Sequence, residues 1–85
     1  KYVDALADAV AKIESFGAQM VVVSLGLDTF ITDPICDLSV TTDGFRRCGE
    51  VVAALGLPTV VLQEGGYDVD KLGVNVQSWL VGLGV

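Results

Sequence analysis

Two short apolar runs separated by an amphipathic segment limit the fold more than any other feature of the sequence. The run "QMVVVSLG" predicts a strand at about 19–24, and "LPTVVLQE" predicts a second strand at 59–63. Both runs are rich in β-branched residues and lack polar alternation, which is typical of parallel strands buried on both faces. Because a helix that joins two such strands forms a right-handed βαβ unit, the two strands should be parallel.

Three segments have the spacing of apolar residues that is typical of helices. The first covers about 2–16 and ends at Gly17, and the third covers about 70–82. The second begins at a capping residue, either Thr41 or Thr42, and ends before Gly56. The predicted order is therefore α-β-α-β-α, an α/β fold in which helices flank two parallel strands.

The unpaired sheet edges indicate that this order is only part of a fold. A two-stranded parallel sheet leaves both outer edges open, which natural proteins avoid or cover. The first predicted helix also begins at Lys1 without a capping residue. We therefore expect residues 1–85 to form a single partial domain. As an isolated chain it should associate with further copies of itself, as a homo-oligomer.

Composition and charge exclude several classes of partner. Eleven acidic residues against five basic ones give a formal net charge of −6, which disfavours nucleic acid and anionic membrane surfaces and favours cationic substrates such as amines. The sequence has no apolar run near the ~20 residues that span a bilayer and no targeting segment, so we expect a cytoplasmic protein. Cys36 and Cys48 form no CxxC pair and are expected to be reduced, partly buried thiols.

Two loops that follow the predicted strands carry residues capable of chemistry. Asp28 lies just after the first strand, in the long stretch "LGLDTFITDPICDLSV", and Tyr67 follows the second strand in "EGGYD". Loops of that length are usually functional or disordered. Because ligands bind at the carboxyl ends of parallel strands, Asp28 and Tyr67 should face one cleft if the strands are neighbours.

Residue type alone leaves several roles open at this edge. Asp28 could ligate a cation, act as a base or cap a turn. Tyr67 could donate a hydrogen bond to a developing oxyanion or pack as an aromatic side chain. Gly65 and Gly66 could hold a phosphate, as in a nucleotide-binding βαβ domain. However, the sequence has neither the three spaced glycines of a dinucleotide site nor the lysine of a P-loop.

Three motifs, in the same order and spacing, resemble the C-terminal part of the histone deacetylase and acetylpolyamine amidohydrolase superfamily. They are "VVVSLGLDTFITDP", "LSVTTDGF" and "VVLQEGGYDVDKLGVNV", and the resemblance runs from about residue 18 to the end. It is strongest to the bacterial acetylpolyamine amidohydrolases. The resemblance implies a parallel-sheet fold of the arginase/deacetylase type and zinc-dependent hydrolysis of acetamide bonds, with acetylated polyamines or acetyl-lysine as substrates.

The same resemblance implies specific roles for residues of the two loops. Asp28 matches a zinc-binding aspartate and Tyr67 the transition-state tyrosine, while Gly65 and Gly66 would let the turn bring that tyrosine over the metal. Asp33 and Pro34 match a pair that shapes the ligand loop. An alternative metal cluster would combine Asp28 and Asp33 with two further residues, Cys36 and Asp37.

The sequence contains no histidine, although the family takes histidines for its zinc site and for its general acid and base. Since a catalytic zinc needs about three protein ligands, we expect the isolated chain to be inactive and free of metal. Two hypotheses follow. The chain is part of an enzyme that other segments complete, or it is an inactive interaction module that oligomerises.

Overall fold

The computed structural model describes residues 2–35 and 38–85 and has the predicted order of elements. The elements are α1 (Tyr2–Phe16), β1 (Val21–Leu25), α2 (Thr42–Ala53), β2 (Thr59–Gln63) and α3 (Val69–Leu83). The α/β class and the α-β-α-β-α order are therefore confirmed. Strand β1 lies slightly later than predicted, and α3 extends beyond the predicted 70–82. Within the described ranges, no helix is both long enough and apolar enough to cross a membrane.

The two strands pair in parallel, as the helix between them predicts. Val21 lies opposite Thr59 and Leu25 lies opposite Gln63, so the strands are in register along their full length. The backbone N–H of Val21 also donates to the carbonyl of Pro58, at 2.9 Å, just before β2 begins. The carboxyl ends of both strands consequently lie side by side at one edge of the sheet.

Alternate residues of the strands form an inner face and an outer face with different surroundings. The inner face includes Val23, Leu25 and Val61, which belong to or pack against the core that the three helices also line. The outer face is exposed, with Val22 at 57% and Leu62 at 51% of their full exposure. The prediction of strands buried on both faces is therefore wrong for this chain, because its described helices pack on one side of the sheet only.

Helices α2 and α3 approach each other closely through two glycines. A β-carbon on Gly82 would overlap the carbonyl oxygen of Arg46, and one on Gly49 would overlap the carbonyl oxygen of Trp79. These overlaps involve backbone atoms, which cannot move aside without separating the helices. The absence of a side chain at both positions therefore sets the distance between α2 and α3.

Hydrogen bonds at the start of α2 settle which threonine caps it. The Oγ1 atom of Thr41 accepts a hydrogen bond from the backbone N–H of Gly44 at 3.0 Å, so Thr41 is the capping residue. Thr42 has another role, because its hydroxyl donates to the buried Oδ1 of Asn75 at 2.7 Å. The hydroxyl of Ser78 donates to the carbonyl of Thr42 at 2.7 Å, which adds a second polar link between α2 and α3.

Cys48 lies in the core as a free cysteine, in agreement with the expected reduced thiol. Burial raises the pKa of the Cys48 thiol, and the positive charge of Arg47 opposes that shift in part. The predictions for Cys36 and Asp37 concern positions outside the described residues. Among residues 2–35 and 38–85, the apolar core contains eight buried side chains: Leu25, Leu27, Phe30, Val40, Phe45, Cys48, Val52 and Trp79.

The described parts of the long loop between β1 and α2 fold back on themselves. The N–H of Ile31 donates to the carbonyl of Val40 and the N–H of Val40 donates to the carbonyl of Thr29, both at 2.9 Å. These bonds form an isolated parallel bridge between Phe30 and Val40, whose side chains are both buried. The loop thereby contributes to the core and returns the chain to the start of α2.

Candidate active site

The hydrogen-bond ladder between the strands continues into the two loops beyond them. The N–H of Glu64 donates to the carbonyl of Leu25 at 2.8 Å, and the N–H of Leu27 donates to the carbonyl of Gly65 at 2.6 Å. Each loop therefore leaves the sheet while still paired with the other. This pairing places the residues that follow, Asp28 and Tyr67, at the same edge, as the positions of the motifs predict.

Asp28 and Tyr67 both lie next to the position that a side chain at residue 65 would occupy. A β-carbon built on Gly65 would lie 2.8 Å from Oδ2 of Asp28 and 3.3 Å from Cε2 of Tyr67. The other carboxylate oxygen, Oδ1, would lie 2.9 Å from a β-carbon on Gly26. Both oxygens thus occupy space that glycines leave open, and the structure brings three of the predicted site residues together.

Gly66, the fourth predicted site residue, makes its contacts with apolar side chains. A β-carbon there would lie 2.7 Å from Cδ1 of Leu72 and 3.1 Å from Cβ of Leu27. The glycine therefore lets the turn lie against helix α3. A phosphate site at Gly65 and Gly66 is disfavoured, because the Asp28 carboxylate beside Gly65 would repel an anion.

The turn at Asp28 is closed by the backbone. The N–H of Phe30 donates to the carbonyl of Leu27 at 3.4 Å, and the carboxylate of Asp28 plays no part in that bond. The side chain is half-buried, with its oxygens toward Gly26 and Gly65. This geometry favours the ligand or base alternatives over a turn-capping role.

The surroundings of Tyr67 do not support a packing role. Its side chain is 47% exposed, so the ring is not enclosed in the core. One ring edge lies beside Gly65, on the same side of the turn as the Asp28 carboxylate. A phenol in this position can donate its hydroxyl hydrogen to a group bound near Asp28.

A buried carboxylate, Asp33, links the two loops. It is only 7% exposed, and its Oδ1 accepts from the N–H of Ile35 at 2.9 Å while its Oδ2 accepts from the N–H of Tyr67 at 2.8 Å. The bond to Ile35 shapes its own loop, as the Asp-Pro motif predicts. No sequence pattern predicts the bond to Tyr67, because hydrogen bonds between distant segments have no local signature.

A second side-chain bond joins the loops, one residue before Asp33 in the first loop and one residue after Tyr67 in the second. The hydroxyl of Thr32 donates to the carboxylate of Asp68. Asp68 stands at the N-terminal cap position of α3, yet its side chain makes no capping hydrogen bond there. Its carboxylate binds the neighbouring loop instead, so the start of α3 is fixed relative to the β1 loop.

The donor atoms at this edge fit a zinc ion as one part of a site. Carboxylate oxygen is an ordinary zinc ligand, and the absence of side chains at Gly26 and Gly65 gives the Asp28 carboxylate room to lie at this edge. Among residues 2–35 and 38–85, no three potential ligands come close enough to hold a metal. Asp33 already accepts two backbone hydrogen bonds, which disfavours the alternative cluster that includes it.

A separate cleft of about 600 Å³ lies between the starts of α1 and α2. Neither Asp28 nor Tyr67 lines it. Its lining is mixed in character and contains Val3, Asp4, Leu38, Thr41, Gly44 and Arg47 among others. The candidate active site is the edge that holds Asp28 and Tyr67, because the two side chains predicted to carry chemistry converge there.

Comparison with known protein families shows to which family this chain belongs. The family model described as "Histone deacetylase domain" matches residues 1–83. The chain belongs to the histone deacetylase domain family. The resemblance predicted from the three motifs is thereby confirmed.

Individual deacetylase relatives match most of the chain. It is 44% identical to the acetylpolyamine amidohydrolase of Burkholderia pseudomallei over 91% of this chain, and 44% identical to that of Mycoplana ramosa over 94%. Histone deacetylase 8 of Xenopus laevis is 40% identical over 62% of this chain. The chain spans 23% and 24% of the two amidohydrolases, about a quarter of their length.

A solved deacetylase-family structure confirms the fold. A crystal structure of acetylpolyamine aminohydrolase from Burkholderia pseudomallei superposes on this chain with a TM-score of 0.88 at 44% identity. The match covers 92% of this chain and 23% of the larger one. The two parallel strands and their helices are therefore the same arrangement as a segment of that enzyme.

Proposed function

We propose that residues 1–85 are the C-terminal segment of a zinc-dependent deacetylase domain that hydrolyses acetamide bonds of acetylated amines. The observation that carries the proposal is the convergence of Asp28 and Tyr67 around Gly65, at the carboxyl edge of a parallel sheet in a deacetylase-family chain. The remaining ligands and the general acid and base would come from segments other than these 85 residues.

In this proposal Asp28 supplies one carboxylate ligand to the zinc ion. When bound, the ion supplies Lewis acid chemistry, polarising the acetamide carbonyl and activating water. The half-buried position of Asp28 fits this role, because its oxygens are held between two glycines rather than in open solvent. Since about three protein ligands hold a catalytic zinc, the isolated chain should bind no metal and have no activity.

Tyr67 in this proposal stabilises the developing oxyanion of the substrate. Its hydroxyl would donate a hydrogen bond to the former carbonyl oxygen as negative charge builds up there. Gly65 permits this role, because any side chain at that position would stand between the carboxylate and the ring. The exposed face of the ring leaves room for a substrate to approach.

Acetylated polyamines are the substrate class that we propose first, with acetyl-lysine as the second. Two relatives that are 44% identical are named acetylpolyamine amidohydrolases, whereas the histone deacetylase 8 match covers a smaller share of the chain. The net charge of −6 also favours a cationic substrate in the field around the protein. Both substrates share the acetamide group on which Asp28 and Tyr67 would act.

A hybrid enzyme tests the proposal directly. In this hybrid, the present chain replaces the matching segment of the Burkholderia pseudomallei amidohydrolase, and zinc content and hydrolysis of an acetylated polyamine are measured. We expect Asp28→Ala to lose both zinc and activity. Tyr67→Phe should keep its zinc and lose about 100-fold to 1,000-fold in kcat, the usual effect of removing one oxyanion donor.

The control variant for this experiment is Gly73→Ala. Gly73 lies on α3 with open space around it, so the variant should retain both zinc and activity. If Asp28→Ala retains full zinc and turnover, Asp28 is not a ligand. If Tyr67→Phe turns over at the original rate, the phenol has no part in the reaction.

A second candidate function follows from the exposed outer face of the sheet. Apolar side chains at Val22, Val60 and Leu62 are exposed there, and contiguous apolar surface often marks an interaction site. In this alternative the chain is an inactive module that buries the outer face and the strand edges in a homo-oligomer. Sedimentation at micromolar concentrations tests it, and a purely monomeric chain would count against it.

A further inference from the structure

We propose that Asp33 is a positioning residue for Tyr67, holding the tyrosine backbone so that the phenol stays beside Asp28. The inference rests on the proposed function, because it assigns a partner to the oxyanion-stabilising role of Tyr67. It also goes beyond that function, because Asp33 itself would touch neither metal nor substrate. It would act only through the backbone of the neighbouring loop.

Burial and hydrogen bonding show how firmly this carboxylate is held. Only 7% of Asp33 is exposed, and each of its oxygens accepts a hydrogen bond from a backbone N–H. A buried charged group is costly unless such partners are present, and hydrogen bonds to an ionised acceptor are stronger than neutral ones. Displacing Tyr67 would remove one partner from a buried charge, so the bond resists movement of the tyrosine.

The place of the bond along the chain makes it a positioning contact. It reaches the N–H of Tyr67 itself, directly after Gly65 and Gly66. Glycines allow many backbone conformations, so this turn alone would not fix the direction of the next residue. The loop is held at the first glycine, where the N–H of Leu27 donates to the carbonyl of Gly65, and the Asp33 bond fixes it again immediately after the second glycine.

The substitution Asp33→Asn in the hybrid enzyme tests this role. Asparagine has nearly the same shape but only one acceptor oxygen, so it can serve only one of the two N–H groups that Asp33 binds. We expect kcat to fall about 10-fold to 100-fold, because even a small displacement of the Tyr67 phenol from its working position slows the reaction by that order. Zinc content and KM should stay close to their original values, because Asp28 is untouched.

A matched control removes a comparable hydrogen bond elsewhere. Thr41→Ala also deletes a side-chain acceptor of a backbone N–H, that of Gly44, at the start of α2. This variant should lower the melting temperature and leave kcat unchanged at temperatures where the protein is folded. An equal loss of kcat in Thr41→Ala would mean that general destabilisation explains the Asp33 result.

A double-mutant cycle separates positioning from stability. If Asp33 acts through the phenol, Asp33→Asn should change kcat by less than about 3-fold in a Tyr67→Phe background. A full, multiplicative loss in that background would overturn the inference while leaving the role of Tyr67 intact. Should Asp33→Asn fail to fold, Asp33→Glu, which keeps both acceptor oxygens but shifts them, replaces it in the same cycle.

Failure of the proposed function gives a different pattern of results. A hybrid enzyme without zinc and turnover, or a Tyr67→Phe variant with the original kcat, would overturn the proposed function and the inference that rests on it. Loss of activity in Tyr67→Phe combined with an unchanged kcat in Asp33→Asn would overturn the positioning role alone.

Discussion

The inner and outer faces of the sheet have similar apolar side chains and opposite surroundings. On β2, Val61 points inward and packs against the core, while the next residue, Leu62, is half exposed. Neighbouring residues of one strand thus have nearly the same hydropathy, although one is partly buried and the other is exposed. An apolar composition therefore indicates that both faces of a strand are suited to burial. Which face is buried depends on where the helices of the chain pack.

The helices on the inner side of the sheet also pack very closely against each other. The glycines at the α2–α3 contact allow no added atom, whereas Gly73 on the same helix α3 faces open space. The outer face has no comparable constraint, because its side chains meet no helix in the part of the chain that the structure describes. Mutations should therefore have large effects on the inner side and small ones on the outer face.

The largest effect is expected for Gly82→Ala. Its new β-carbon would overlap the carbonyl oxygen of Arg46, so α2 and α3 must separate. We expect the free energy of unfolding to fall by about 3 kcal/mol, the upper end of the range for overpacked cores. Gly73→Ala is the control, since alanine in an open helical position should add about 0.5–1 kcal/mol. Thermal unfolding followed by circular dichroism measures both changes.

An intermediate effect is expected from lysine substitutions on adjacent residues of β2. Val61→Lys places a charge on the inner face and should cost about 2 kcal/mol. Leu62→Lys places it on the outer face and should change the free energy of unfolding by less than about 1 kcal/mol. Equal costs would show that the outer face is covered in solution. Sedimentation of the Leu62→Lys variant would then show whether a second copy provides the cover.

The smallest effect concerns the pH dependence contributed by Cys48 in the core. Because burial raises the pKa of the folded thiol, the folded chain holds this proton more tightly than the unfolded chain. The resulting stability is complete below the pKa of an unfolded thiol, about 8.5, and is lost as the pH rises toward the folded pKa. The loss should be smaller than the changes predicted above.

Urea unfolding at pH 7 and pH 9.5 measures this contribution of Cys48. The comparison is between Cys36→Ala and the double variant with Cys48→Ala, so that only the buried thiol differs. The single variant should lose more stability between the two pH values than the double variant. Identical losses would show that Cys48 titrates alike in the folded and unfolded chains.

Most of the fold could be predicted because it depends on local patterns. The β-branched runs and the helical spacing predict the three helices and two strands. The hydrogen bond from Gly44 to Thr41 shows that the cap of α2 is one of the two threonines that the sequence predicts. The burial of both sheet faces could not be predicted correctly. Apolar residues on both faces of a strand predict that both faces are buried, but the described helices of this chain cover only one face.

The proximity of Asp28 and Tyr67 could be predicted from the sequence, whereas the hydrogen bonds between their two loops could not. Because Asp28 and Tyr67 each follow one of two parallel strands, they are expected to lie near each other. In the structure both lie next to Gly65. The bonds from Asp33 to Tyr67 and from Thr32 to Asp68 join residues more than thirty positions apart. Such pairs depend on how two loops fold against each other, and no local motif records that.

The continuation of the strand ladder into the loops has a consequence for motion at the site. The backbone hydrogen bonds between Leu25 and Glu64 and between Leu27 and Gly65 make the base of the Tyr67 loop an extension of the sheet. Backbone opening there would require breaking sheet pairing, which is slow compared with rotation of an exposed side chain. Adjustment of Tyr67 between open and bound states should therefore occur by rotation of its ring about the side-chain bonds, over a backbone that stays in place.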